Sequence, residues 1–104
     1  MNKMEANSLL DFYEKLLTEK QQRICEDYFR DDLSLQEIAE ENGISRAAVH
    51  DTVKRCEKEL QEYEDKLHLY ASYQKRMKLY EEIRSIGNKE ISHLLDLCID
   101  TEND

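Results

Sequence analysis

The side chains best suited to chemistry in this chain are cationic and fall in one short segment. Arg46, His50, Lys54, Arg55 and Lys58 lie within fourteen residues, Ser45–Lys58. There, four Lys and Arg residues face only Asp51 and Glu57, a net of +2, whereas the whole chain carries −9. Contacts to phosphate need local positive charge, so this is where a nucleic acid would be met. His50 falls where a reader of base edges projects, and Lys54, Arg55 and Lys58 suit phosphate oxygens. The last three sit at most one turn apart, so not all of them can face one groove. His50 can equally be an ordinary surface histidine. A second, smaller basic cluster is Lys75, Arg76 and Lys78. The acids concentrate elsewhere, at Asp31-Asp32, Glu40-Glu41, Glu62 to Asp65 and the tail.

Other chemistry is sparse. His50, His68 and His93 lie far apart with no recurring acid or thiol partner. The many carboxylates read as solvated helix faces. No Gly-rich phosphate loop occurs, so the chain is not expected to be an NTPase, or an enzyme of any kind. Cys25, Cys56 and Cys98 are widely spaced, each in an apolar helical slot, and lack the paired spacing of a zinc site. They read as core thiols of a reducing compartment. No catalytic residue, cofactor or metal is assigned. Tyr63, Tyr70, Tyr73 and Tyr80 form a tyrosine row that can stack on RNA bases or pack in a core or dimer seam. His68, between Leu67 and Leu69, reads as a side chain snorkelling at a helix interface.

The basic segment needs a scaffold, and the stretch Leu33–Lys58 supplies one. Ser34 with Glu37 makes a capping box for a short helix whose small apolar face is Ile38 and Ala39. Asn42-Gly43 stops it, because glycine accepts a left-handed conformation. Ile44 plugs the turn. Ser45 caps a second helix that points Val49, Val53 and Cys56 inward and leaves Arg46, Ala47, His50, Asp51 and Lys54 outside. Two capped helices joined by a short turn containing glycine make a helix-turn-helix.

Leu35–Leu60 resembles the helix-turn-helix of sigma-factor region 4, down to the turn Gly43-Ile44-Ser45-Arg46. Leu9–Leu17, Thr18–Tyr28, Ser34–Val53 and Tyr63–Tyr70 resemble the YlxM family of small cytosolic bacterial proteins, a likeness that covers about four-fifths of the chain and fades after Ile83. The resemblance implies an all-α fold of the winged-helix-like superfamily without a wing. It also implies a link, by gene neighbourhood, to the signal recognition particle (SRP) and its GTPase Ffh, with DNA binding or SRP regulation as the function. Sigma-type modules usually carry long polar or basic base-contacting side chains at the positions of Ala47, His50 and Asp51. Ala47 cannot hydrogen-bond a base edge, and Asp51, though able to accept from cytosine, repels phosphate.

The remaining elements follow from periodicity. At 104 residues, 39% hydrophobic and 38% charged, with no Pro and two Gly, the chain is expected to be one all-α domain. Residues 1–60 hold the N-terminal helices and the helix-turn-helix (33–58), and 61–104 continue the same domain. Met1–Asn7 is expected to fray. Ser8 then caps a helix with the wide stripe Leu9, Phe12, Tyr13, Leu16 and Leu17, which serves as core or self-association surface. Thr18 and Gln21 form a second capping box, opening a helix that buries Ile24, Cys25, Tyr28 and Phe29 and ends near Arg30–Asp32.

From Arg46 the pattern does not stop. Val49, Val53, Cys56, Leu60, Tyr63, Leu67 and Tyr70 hold a 3.5-residue seam. Tyr73, Met77, Tyr80 and Ile83 carry it on after a short step that marks overwinding or a bend. One helix from Arg46 to about Arg84 would be roughly 58 Å long, too long for its distal half to stay bare. It is therefore expected to pack on a short final helix, Lys89–Ile99, with Ile91, Leu94, Leu95 and Cys98 on one face, and on a second copy in a homodimer. Gly87-Asn88 is the stop between the two helices, and Asp100–Asp104 is expected to be disordered.

No apolar run is long enough to span a membrane and no signal peptide opens the chain, which places it in the cytoplasm without a membrane partner. Three functions fit: a regulator of the SRP pathway that binds SRP RNA, Ffh or both; a dimeric DNA-binding transcriptional regulator; or a helix-turn-helix retained as a scaffold for protein contacts.

Overall fold

A computed structural model describes residues 1–103, and these form helices joined by short turns, without a strand. The helices are α1 (Lys3–Tyr13), α2 (Glu19–Cys25), α3 (Leu35–Asn42), α4 (Arg46–Leu67), α5 (Leu69–Ile86) and α6 (Lys89–Glu102). A 3-10 turn, Glu14–Leu16, follows α1, and a π turn, Glu26–Arg30, follows α2. The all-α helix-turn-helix architecture read from the sequence is the one observed. The chain divides into two compact units, Met1–His68 and Leu69–Asp104. That division falls at the end of α4.

In Met1–His68, α4 is the central strut against which α1, α2 and α3 pack. Its seam residues Val49, Val53, Cys56 and Leu60 are all buried, as are Leu10 and Tyr13 from α1, Ile24 from α2 and Ile38 from α3. The α1 stripe is wider than its contact. Leu9, Tyr13 and Leu17 are buried, Phe12 is half-buried and Leu16 is exposed. Tyr13 keeps its hydroxyl satisfied by donating to Glu64 Oε1 at 2.6 Å, with its ring 5.9 Å from that of Tyr63.

Several local expectations are corrected. Met1–Asn7 does not fray: Asn2, not Ser8, caps α1, its side chain accepting from the Glu5 N–H at 2.8 Å. Ala6 is fully buried and the Asn7 amide donates to the Phe29 carbonyl at 2.7 Å, so tertiary contact holds the first turn. The acids after α2 find partners. Asp32 pairs with Lys3, and Lys3 also lies 4.4 Å from the centre of the Tyr28 ring. Arg30 ties three segments together, reaching Asp11 at 2.7 Å, Glu14 at 2.8 Å and Glu26 at 3.4 Å. At the other end, Asp100–Glu102 extend α6 instead of being disordered, and Asp104 lies outside the described residues.

The largest departure concerns the long helix. It is not continuous from Arg46 to Arg84. It ends at Leu67, and His68 takes the left-handed conformation, φ 55° and ψ 28°, its N–H bonded to the Glu64 carbonyl at 2.9 Å. The break thus precedes the Tyr70–Tyr73 step, where the sequence pattern marks overwinding or a bend. Beyond Leu60 no seam residue of α4 is buried, and Leu67 is half in solvent. Tertiary burial, which supplies most helix stability in proteins, therefore stops before the helix does. Histidine is among the residues that tolerate this geometry best without being glycine.

Cys25 and Cys56 are fully buried, but Cys98 is exposed, which corrects its reading as a core thiol. A hydrogen bond with Cys56, and then burial, push the Cys25 thiol well above its ordinary value. Thiol titration of the native chain is therefore expected to find one fast-reacting group, Cys98, with the other two released only on unfolding. Three fast thiols would contradict the packing of α2 against α4.

Candidate nucleic-acid interface

The corner that presents the basic segment is built by local chemistry. Ser34 Oγ accepts from the Glu37 N–H at 3.1 Å while Glu37 Oε1 accepts from the Ser34 N–H at 3.2 Å, closing the capping box. α3 ends at Gly43, φ 64° and ψ 34°, whose N–H bonds back to the Ala39 carbonyl. The Ile44 N–H shares that carbonyl at 3.1 Å, and the Asn42 amide takes the Ile38 carbonyl at 2.8 Å. Ser45 Oγ then accepts from the Ala48 N–H at 3.0 Å and starts α4. Ile38, Val49 and Val53 are buried between the two helices and fix their crossing.

Gly43 is required for its backbone alone, since a Cβ there would meet nothing within 4 Å. Gly43→Val is therefore expected to cost about 1–2 kcal/mol through the positive φ, and more than Gly43→Ala, because a branched side chain tolerates that region least. Urea denaturation of the two variants checks this. Equal, negligible costs would show that the turn can rearrange.

All five cationic candidates are exposed. Arg46, His50, Lys54 and Lys58 stand at four-residue intervals along α4, each about 6 Å further along and about 40° further round, so they wind over about 120° of its exposed surface. Arg55 lies about 100° round from Lys54 and about 60° from Lys58, at the edge of that winding stripe. Lys54 Nζ, itself exposed, lies 3.7 Å from Oε2 of the half-buried Glu57, a long contact that leaves the ammonium free to meet a phosphate. His50 Nδ1 is 3.9 Å from Asp51 Oδ1, too far for a hydrogen bond. Ala47 and Asp51 share the exposed face.

The neighbouring helix limits what this face can do. In a DNA-reading module the first helix crosses the phosphate backbone. Here α3 carries exposed Glu37 and Glu40 with Glu41 beside them and no Lys or Arg. This constraint was readable in the sequence, where Glu40-Glu41 stood out as acids, but its force depends on α3 flanking α4. Outside this face, no group of three or more His, Cys, Asp and Glu among the described residues is placed to hold a metal ion. No helix of the described residues is long and apolar enough to cross a membrane.

Comparison with known proteins agrees with this architecture. Residues 1–97 match the family model UPF0122, described as "Putative helix-turn-helix protein, YlxM / p13 like". A UPF0122 protein of Streptococcus gordonii is 54% identical over 77 residues, covering 74% of this chain and 70% of the relative. One from Streptococcus agalactiae is 52% identical over 77 residues, with the same coverage. One from Halalkalibacterium halodurans is 46% identical over 87 residues, covering 84% of this chain and 80% of the relative. The description is that of a helix-turn-helix protein and not of an enzyme. With nearly the whole chain matched by the family model and a capped bihelical corner at its centre, the chain belongs to the UPF0122 family of YlxM- and p13-like helix-turn-helix proteins.

Proposed function

We propose that the chain is a cytoplasmic accessory protein of the SRP pathway that binds SRP RNA through the exposed stripe of α4, with Ffh as a further partner. The observation that carries the proposal is the stripe itself: Arg46, His50, Lys54 and Lys58, all exposed, winding along one helix of an otherwise acidic chain. A helix presented this way meets a phosphate backbone along its length, without the flanking helix having to cross it. The link to SRP comes from the resemblance to YlxM proteins and the gene neighbourhood it brings.

Saturable binding of SRP RNA at near-physiological salt, or a change in the GTP hydrolysis of Ffh when the protein is added, is the expected result. If micromolar protein produces neither, the proposal fails.

The capped corner, with Arg46 at the exposed start of α4, favours a second reading as a dimeric DNA-binding transcriptional regulator. Two half-sites about 34 Å apart would then be protected on genomic fragments. Against it stand Ala47 and Asp51 on the reading face and the acids of α3.

A further inference from the structure

We infer that the unit Leu69–Asp104 is a self-association module, its apolar face covered by the same face of a second copy. The first observation is size. The unit spans 36 residues, and chains below about 40 residues seldom hold a fold without a disulfide, a metal or oligomerisation. Leu95 is its one buried hydrophobic side chain among the described residues. The second observation is what the unit leaves outside. The ion pairs Arg76–Glu102 and Arg84–Asp96 show that α5 and α6 run antiparallel. Their tight link requires Gly87, where a Cβ would sit 2.6 Å from Ile91 Cγ2.

Leu95 and the half-buried Ile99 lie on the side of α6 toward α5, with half-buried Tyr80 and Arg84 on the facing side of α5. Turning from that contact at about 100° per residue, Leu79, Ile83 and Ile86 on α5 and Ile91 and Leu94 on α6 come out on the same broad face of the antiparallel pair. Ile86 is 87% exposed, Leu94 60% and Leu79 55%. The inward face read for α6 from its sequence, Ile91, Leu94, Leu95 and Cys98, is thus corrected: only Leu95 is covered.

The area fits a second copy. Two helices side by side, 14 and 18 residues long, offer a footprint on the order of 500 Å². That is close to the ~600 Å² per partner at the lower end of stable interfaces. Arg76 and Arg84 of α5 already pair with Glu102 and Asp96 of α6 inside the unit, and the charges left over, Lys75, Lys78, Glu81 and Glu82 on α5 and Lys89, Glu90 and Asp100 on α6, nearly cancel, so little net charge opposes the approach of a second copy. Lys75, Lys78 and Glu82 border Leu79 in one shallow groove; Lys89, Glu90 and His93 border Leu94 in another. Two copies meeting face to face as a four-helix bundle bury the aliphatic stripes. A nucleic acid or a membrane surface would not match a face with both signs of charge around an apolar strip.

Sedimentation equilibrium of the full chain between about 1 and 100 μM tests the inference. The wild type is expected to be a dimer, and Leu79→Glu with Leu94→Glu to raise the dissociation constant on the order of a hundredfold or more while far-UV circular dichroism stays unchanged. A change off the face supplies a control. Asp100→Lys, half a turn round α6 from Ile91, should leave self-association unchanged. A wild-type monomer at 100 μM, a dimer indifferent to both aliphatic changes, or one that Asp100→Lys weakens as much as they do would each overturn it. None of these outcomes depends on nucleic-acid binding.

Discussion

Leu60→Asp is expected to unfold Met1–His68, whereas Leu67→Asp, two turns further along the same helix, should leave it folded. Both positions belong to one heptad seam in the sequence, and by periodicity alone they are equivalent. In the structure Leu60 has no exposed surface and Leu67 is 51% exposed. A carboxylate at 60 would sit against the core that α4 shares with α1, α2 and α3, with no cation to pair. Burying an unpaired charge, together with the lost packing, costs more than about 4 kcal/mol. A unit of this size has stability of only about 3–10 kcal/mol by the usual per-residue scaling. A substitution on an exposed face usually stays within about 0.5 kcal/mol. Far-UV circular dichroism and urea denaturation of the two variants separate these outcomes. Equal losses would mean that the seam past Leu60 is buried in solution, and hence that α4 runs on beyond Leu67.

The second large effect is on binding. Arg46→Ala with Lys54→Ala should lower affinity for SRP RNA by roughly ten- to a hundredfold and leave helicity unchanged, because both side chains are exposed and neither closes the core. The salt dependence should change with it. Removing two phosphate contacts is expected to make the slope of log K against log salt shallower by roughly 1.4 to 1.8. Lys15→Ala with Lys20→Ala, which removes two exposed charges from another part of the unit, is the matched control. It should shift affinity only slightly. If the two double variants behave alike, the protein responds to net charge and not to the α4 stripe.

What could be read from the sequence was what the chain specifies locally. Thr18 with Gln21 and Ser34 with Glu37 are capping boxes because each pair closes on backbone groups three residues away, and both are present. Gly43 and Ser45 mark the turn for the same reason. The sides of α4 were legible because its contacts repeat with the helix period through Leu60.

What escaped depends on partners distant in sequence. The first turn of α1 is held by Ala6 and by the bond from Asn7 to Phe29, and nothing in Met1–Asn7 announces either. The end of α4 is set by a histidine in the left-handed conformation at a point where burial has run out, and a histidine, unlike a glycine, does not announce a stop by itself. In α6, Ile91, Leu94, Leu95 and Cys98 form one apolar face on a helical wheel, yet α5 covers only a narrow strip of it. At the candidate site, exposure was foreseen for each of Arg46, His50, Lys54, Arg55 and Lys58. The acids of α3 gained their weight only when that helix was seen to flank α4.

The most direct test of the central claim is residue-resolved. Backbone amide resonances of the full chain are followed by NMR as SRP RNA is added. The expected result is a contiguous set of shifts along the exposed face of α4, at Arg46, Ala47, His50, Lys54 and Lys58, with the buried Val49, Val53 and Cys56 little changed. Shifts confined to α5 and α6, or none at saturating RNA, would contradict it.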